Sequence, residues 1–384
     1  MGVYYRVGYK QNVCLMAEKI RDGEKVKMKH LEERNQKIIE AIINKANKEC
    51  PNSLAMIGIY GSFVTGDFYE KSDLDLLILI NDDRGWQLGC SIIQDDLEVG
   101  HDIYCTKWED LEDDARYEHP NISKFMDAKI VYCADEKYKE RLDALRQKAK
   151  DVLEASFCVA DYEKAEKVLK EAEHFYTMAM VSDSSSKVLE EAGGAIYYIE
   201  NAIAMLNKQY FRYGVKRAYE ELNAMKNRPE KLCDRIEDLI SANDVLSVKE
   251  HLTMLMKETI AVFHQVKETI TEQKKSVTAD TITGTYEEMY SNWRNKMHFA
   301  ATTENKHLAF MSLISANAMF TGISSEIDIA KYDVLNCYDS KDLYKTANAY
   351  DNMLNEYLKE YRKAGIAERR YKDIDLFLLE YSAK

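Results

Sequence analysis

Proline is almost missing. Three prolines and 15 glycines in 384 residues leave few breaks, which excludes a loop-rich fold and favours long helices. The eight cysteines (Cys14, Cys50, Cys90, Cys105, Cys133, Cys158, Cys233 and Cys337) contain no CxxC pair. That excludes a zinc ribbon and argues against a disulfide frame, so the thiols are expected to be reduced and the location cytoplasmic. No apolar run approaches the roughly 18 residues of a membrane-spanning helix. The opening stretch MGVYYRVGYKQN lacks the apolar core of a secretory signal. There is no excess of positive charge either. A net charge of −13 disfavours a surface for phosphate backbones, so neither nucleic acid nor membrane is expected as a partner.

What is present is a globular composition, 46% hydrophobic and 31% charged. Leu31, Ile38, Ile39, Ile42 and Ile43 fall at helical spacing and predict a helix over residues 28–49, ended at Pro51-Asn52. Apolar runs at 54–60 and 74–80 predict buried strands. Residues 99–104 (VGHDIY) and 128–133 (AKIVYC) predict two more. Strands separated by short helices imply a small mixed sheet. Beyond residue 137 the strand signals stop and helix follows helix. The fold class is therefore expected to be α+β: a small mixed-sheet domain, then all-α bundles. The expected boundaries are a lead-in at 1–27, a sheet domain at 28–148, a bundle at 151–272 and a second, related bundle at 280–384.

The stretch from Leu54 to Ile80 carries the chemistry. Asp73 and Asp75 open the second strand, and residues two apart in a strand share a face. Two carboxylates at one spot repel and are costly to desolvate, and a divalent cation relieves both costs. Upstream, Gly61-Ser62 ends the first strand and opens a helix, a turn that aims N–H groups and a hydroxyl at an anion. Asp102, on the third predicted strand, shares its face with Gly100 and Tyr104 and supplies a third carboxylate. His101 alternates to the opposite face, which points to a core or surface role. A phosphate-holding turn and three acids suit Mg²⁺ ions bridging a nucleoside triphosphate.

IGIYGSFVTGDFYEKSDLDLLILI resembles the signature of nucleotidyltransferases of the DNA polymerase beta-like superfamily, and within it the kanamycin nucleotidyltransferases. The resemblance implies an Mg²⁺-dependent enzyme that moves a nucleoside monophosphate from an NTP, ATP being the expected donor, to a hydroxyl of a small molecule such as an aminoglycoside-like antibiotic. It implies that Asp73, Asp75 and Asp102 hold metal, that Asp102 also helps to deprotonate the acceptor hydroxyl, and that Gly61 and Ser62 hold phosphate. It also implies a glutamate base in the helical part, five residues before a Trp-Arg-Asn, in a site that can be completed across a homodimer. Glu288 precedes Trp293-Arg294-Asn295 in that way. Glu171 stands in the corresponding place in chain order, five before Tyr176. The lysine expected four residues after that glutamate is replaced by Phe175 and Asn292.

The likeness between KEAEHFYTMAM around Tyr176 and YEEMYSNWRNKM around Trp293 suggests a tandem repeat, with AIYYIENAIAML echoed by AFMSLISANAMF. Two other readings belong beside the small-molecule enzyme. One is a nucleotidyltransferase that modifies a protein, and the other is a non-catalytic protein that keeps the fold. The stretch 109–118 is acidic enough to draw a polycation, although charge runs are usually solvated faces. Arg294 and His298 faintly resemble the Arg–His pair of bundle-type ribonucleases.

Overall fold

The structure is a computed structural model and describes residues 30–270 and 274–382. The lead-in expected at 1–27 lies outside the described residues. The chain divides into two compact units, one ending at Thr271 and the other beginning at Glu272.

The first unit is built on a four-stranded sheet. Helix α1 spans 30–49. Strand β1 (Leu54–Ile59) and strand β2 (Leu76–Ile80) pair antiparallel, flanked by residues 105–107 beside β2 and residues 129–133 beside β1. Between β1 and β2 sits the single turn of α2 (Ser62–Thr65). Both strands are apolar throughout because both faces are covered, and alternate side chains serve two cores. Leu76, Ile78 and Ile80 pack with Ile39, Ile42 and Ala46 of α1. Leu77 and Leu79 face the other way, towards the core that holds Trp108, Leu111, Phe125 and Leu142. Each of these fully buried side chains contributes about 1.5–3 kcal/mol. Helices α3 (Trp108–Asp114), α4 (Ser123–Asp127) and α5 (Glu136–Glu154) supply that second layer, with β6 (Lys129–Cys133) on the edge.

One expectation fails here. Residues 99–103 do not join the main sheet. Strand β4 (Val99–Ile103) pairs with β3 (Cys90–Gln94) in a separate two-stranded hairpin, and the main sheet takes the next segment instead. That segment, β5 (Cys105–Lys107), lies parallel to β2, with Cys105 opposite Ile78. The reason is side-chain chemistry. Cys105 and Thr106 are buried against β2, whereas β4 alternates strictly between buried and exposed residues, which suits a hairpin covered on one face.

The sheet layer runs into a helical bundle without a break in the core. One cluster of buried side chains extends from Met56 and Leu77 to Leu169, Ile199, Leu252 and Phe263. Its helices are α6 (Val159–Val181), α7 (Ser185–Leu206), α8 (Ala218–Ala224), α9 (Leu232–Ile240) and α10 (Val245–Ile270). Phe175 stacks on Tyr198 at 5.3 Å, and its ring lies where a Cβ on Gly194 would be. The small residue lets α6 and α7 close together.

The second unit has its own core around α12 (Thr285–Met289), α13 (Asn295–Thr302), α14 (Lys306–Glu326) and α15 (Leu343–Lys363). A short α11 (Ala279–Ile282) leads in, and α16 (Ile374–Ser382) closes the described chain. A π-turn, Tyr290–Arg294, joins α12 to α13. Tyr350, Tyr357 and Tyr361 of α15 are fully buried. Each hydroxyl finds a partner near α12: Met289 O at 3.0 Å, Thr285 Oγ1 at 2.7 Å and Glu287 Oε2 at 2.8 Å. Among the described residues α14 is long and apolar enough in composition to cross a membrane, contrary to the reading of the sequence. Its acidic and basic residues, Lys306 and Glu326, stand at its two ends, and small polar residues break up its apolar run. Here it packs Leu313, Ala316 and Phe320 into the core of the second unit.

Candidate active site

The end of the sheet where β1 leaves and β2 enters collects the polar groups. Asp73 and Asp75 precede β2 in an extended segment in which exposed and buried residues alternate, so both carboxylates leave by one face. Tyr60 N–H donates to Asp75 O at 3.1 Å, which carries the β1–β2 pairing one step past Ile59. Gly61 follows with φ 64° and ψ −145°, a backbone conformation nearly restricted to glycine. A Cβ at Gly61 would lie 2.0 Å from Asp75 Oδ2. The carboxylate therefore rests on the bare Cα, and the Ser62 backbone N–H hydrogen-bonds it.

The electrostatics follow from that seat. Burial, then the neighbouring charge of Asp73, push the Asp75 carboxyl up to about 6, while the Ser62 N–H and the charge of Lys216 pull the other way. The Ser62 hydroxyl is buried and has no hydrogen-bond partner. A polar atom orphaned beside a destabilised carboxylate fits a site built for a ligand.

These groups suit Mg²⁺ in a particular way. Among the described residues no three or more His, Cys, Asp or Glu side chains form a group able to hold a metal. The expected convergence of Asp73, Asp75 and Asp102 is thus found only as the first pair. Asp102 rides on β4 in the separate hairpin, exposed, and Ser91 Oγ donates to its Oδ1 at 2.8 Å. Two carboxylates still fit Mg²⁺, which is commonly held by one or two of them plus waters and substrate phosphates.

Several contributors to the site gave no signal in the sequence. Arg34 on α1 is 8% exposed. Its Nη2 donates to Ser72 O at 3.0 Å and to Asn35 Oδ1 at 2.8 Å. Burial lowers its pKa, and the charge of Asp73 opposes that. Arg34 therefore fixes the backbone just before Asp73 and balances its charge. Replacing it with Met should leave the Ser72 carbonyl and Asp73 without their cation. We expect a loss of about 2–3 kcal/mol in urea unfolding, with activity down roughly tenfold.

His101 is 2% exposed, which is the first of the two roles, core or surface, expected for it. Its Nδ1 accepts from the Leu74 N–H at 3.4 Å and its Nε2 meets Gln94 Oε1 at 3.3 Å. Burial and then the Arg34 charge lower its pKa, and the charge of Asp73 opposes them. Tyr60 and Tyr104 share a hydroxyl hydrogen bond of 2.8 Å. Burial raises the Tyr60 pKa furthest, with the charges of Asp75 and Asp73 adding to the effect. Lys124 Nζ lies 5.3 Å from the Tyr104 ring centre. These partners come from distant segments, where spacing carries no information.

The two glutamates expected as bases lie on helices, one in each unit. Glu171 is exposed on α6, and among the described residues no interaction links it to Asp73 or Asp75. Phe175, at the place of the expected lysine, packs between α6 and α7. Glu288 is exposed on α12 of the second unit. Close to it, Arg294 Nε and His298 Nε2 both meet the Asp351 carboxylate at 2.9 Å.

Residues 39–176 match the family model described as a nucleotidyltransferase domain. The matched span includes Gly61, Ser62, Asp73, Asp75 and Asp102. The match falls within the first unit and supports a transferase. Among solved structures the chain is similar to a nucleotidyltransferase-like protein from Exiguobacterium sibiricum 255-15. The identity is 10% and the TM-score 0.33, over 67% of this chain and 89% of that one. That likeness is too low to define a site. No curated protein matches.

Proposed function

We propose that the protein transfers a nucleoside monophosphate from ATP to a hydroxyl of a small molecule, in the cytoplasm, with Mg²⁺ held by Asp73 and Asp75. The observation that carries this reading is the seat of Asp75. Its carboxylate lies on Gly61, beside Asp73, with the Ser62 hydroxyl buried and unpartnered next to it. When bound, Mg²⁺ would offset the repulsion between the two carboxylates and screen the phosphate charge.

The residues do the rest by placement. Ser62 Oγ and the Gly61 turn hold the phosphates at the end of β1. The acceptor oxygen approaches the α-phosphorus in line, and a new P–O bond forms. The bond from that phosphorus to the bridging oxygen of the leaving group breaks, and pyrophosphate departs with the electron pair. The hydroxyl proton passes to a carboxylate, Asp102 or, as the alternative, Glu171 or Glu288. Positioning and charge neutralisation account for most of such catalysis.

The resemblance favours an aminoglycoside-like acceptor. Incubation with Mg²⁺ and ATP or GTP, against antibiotics and candidate proteins, followed by mass spectrometry, tests the reading. A nucleotide mass on a small molecule supports it. The same mass on a protein moves the acceptor to that class, and no transfer to any acceptor sinks it. Glu171→Gln and Glu288→Gln, assayed with the acceptor so found, decide between the two glutamates by which one lowers kcat.

A further inference from the structure

The bundle of the first unit contains a cleft of about 780 Å³ walled by α7, the loop at 211–217, α8 and α9. Its lining is mainly apolar, with Ile196, Phe211, Tyr219, Ile236 and Ile240 among the walls. Tyr197, Val215 and Ile240 leave large exposed apolar surfaces at the same opening. Such a concentration marks a place where something binds.

Two features give the cleft a direction. Lys216 and Arg217 line it on one side, and both reach the catalytic end of the sheet. Lys216 is the cation whose charge acts on Asp75. Arg217 Nη1 stands 3.4 Å from Asp67, just past α2. The cleft therefore opens beside the carboxylate pair.

Glu200 of α7 also lines it. Its carboxyl is largely buried, and burial alone pushes it up to about 7. Among the described residues it has no hydrogen-bond or ion-pair partner. The other acids of the cleft are engaged: Glu220 pairs with Arg217 at 2.7 Å, and Glu237 takes a hydrogen bond from Tyr219. A carboxylate kept unpaired in an apolar cleft is costly, and a cationic ligand removes that cost.

We propose that this cleft is the acceptor subsite, and that it takes a hydroxylated molecule with one ammonium group, held by Glu200, and an apolar body, held by the isoleucine and aromatic walls. The proposal rests on the nucleotidyl-transfer reading, keeps its chemistry, and replaces the aminoglycoside-like acceptor favoured by the resemblance with a monocation that carries an apolar body. A sugar-like polycation offers these walls little apolar surface, and Glu200 is the one lining acid, among the described residues, with neither a hydrogen-bond nor an ion-pair partner.

Calorimetry on the full chain with phenylalaninol as probe tests this. The comparison compounds are 3-phenylpropan-1-ol, which lacks the amine, and 2-deoxystreptamine, which lacks the apolar body. The wild type should bind phenylalaninol at least tenfold more tightly than either. Glu200→Gln should weaken phenylalaninol binding tenfold or more and leave Mg²⁺–ATP binding within twofold. Ile240→Arg, at an exposed rim position, should weaken the probe in the same way without disturbing the fold. Equal binding of the probe by wild type and Glu200→Gln, no binding by wild type, or stronger binding of either comparison compound overturns the proposal. Failure of Mg²⁺–ATP to bind wild type would instead count against the nucleotidyl-transfer reading, because it reports on Asp73 and Asp75 and not on the cleft.

Discussion

Asp75→Asn should give a protein that is inactive and more stable. The loss of activity follows from removing one of the two carboxylates that would hold Mg²⁺ against the nucleotide phosphates. We expect transfer to fall by at least about three orders of magnitude. The gain in stability follows from the carboxylate's position. Its pKa is near 3.8 when unfolded and about 6 when folded, so the folded chain holds that proton more tightly. Below about pH 3.8 both states are protonated and the residue costs nothing. As pH rises from there through 6, the folded state loses stability relative to the unfolded one, and above 6 the cost is present in full. Discounted for screening by water, it is about 1–2 kcal/mol, or about 2–5 °C in Tm. Asparagine carries no such cost. The variant should melt higher than wild type at pH 7.5 and alongside it near pH 4. Added Mg²⁺ should raise the Tm of wild type and leave the variant unmoved. A variant that melts lower than wild type at pH 7.5, or that keeps activity, would refute the assignment.

Gly61→Ala should be the most damaging change of a single methyl group in the chain. Alanine must adopt φ 64° with ψ −145°, which costs about 1–3 kcal/mol for any residue with a Cβ. Its Cβ would also sit 2.0 Å from Asp75 Oδ2, a distance no real contact allows. Asp75 must then leave its seat and lose the Ser62 N–H. Stability should fall by about 2–4 kcal/mol in urea unfolding and activity by a hundredfold or more. The double variant Gly61→Ala/Asp75→Asn should be no less active than Asp75→Asn alone, since both changes act on one carboxylate. A Gly61→Ala protein with wild-type activity would show that the turn has no role in placing Asp75.

Much of this was legible in the chain. LAMIGI and LLILI read as buried strands because every residue is apolar, and both are buried on two faces. The interval between Asp73 and Asp75 fixed their common face, since strand period is a local property. Three things were not legible. CSIIQ at 90–94 was too exposed and too short to read as a strand, and without it the departure of β4 from the main sheet could not be foreseen. Arg34, Lys216 and Glu200 act at the sheet end or in the cleft beside it from positions far away in sequence, and only the fold brings them there. The glutamates at 171 and 288 were placed by resemblance, and exposed helix positions impose no geometry that would fix them.

The continuous core of the first unit has a consequence for modularity. Met56 and Leu77 of the sheet belong to the same apolar cluster as Leu252 and Phe263 of the bundle. The carboxylates and the cleft beside them are thus parts of one solid body, and no seam exists along which the bundle could be exchanged for another. Any drift in what the protein accepts has to proceed by replacing side chains within the cleft, one at a time, under the constraint of a shared interior. The second unit, closed around its own tyrosine-rich core, carries no such constraint. Substitutions inside that second core leave the shared interior of the first unit untouched.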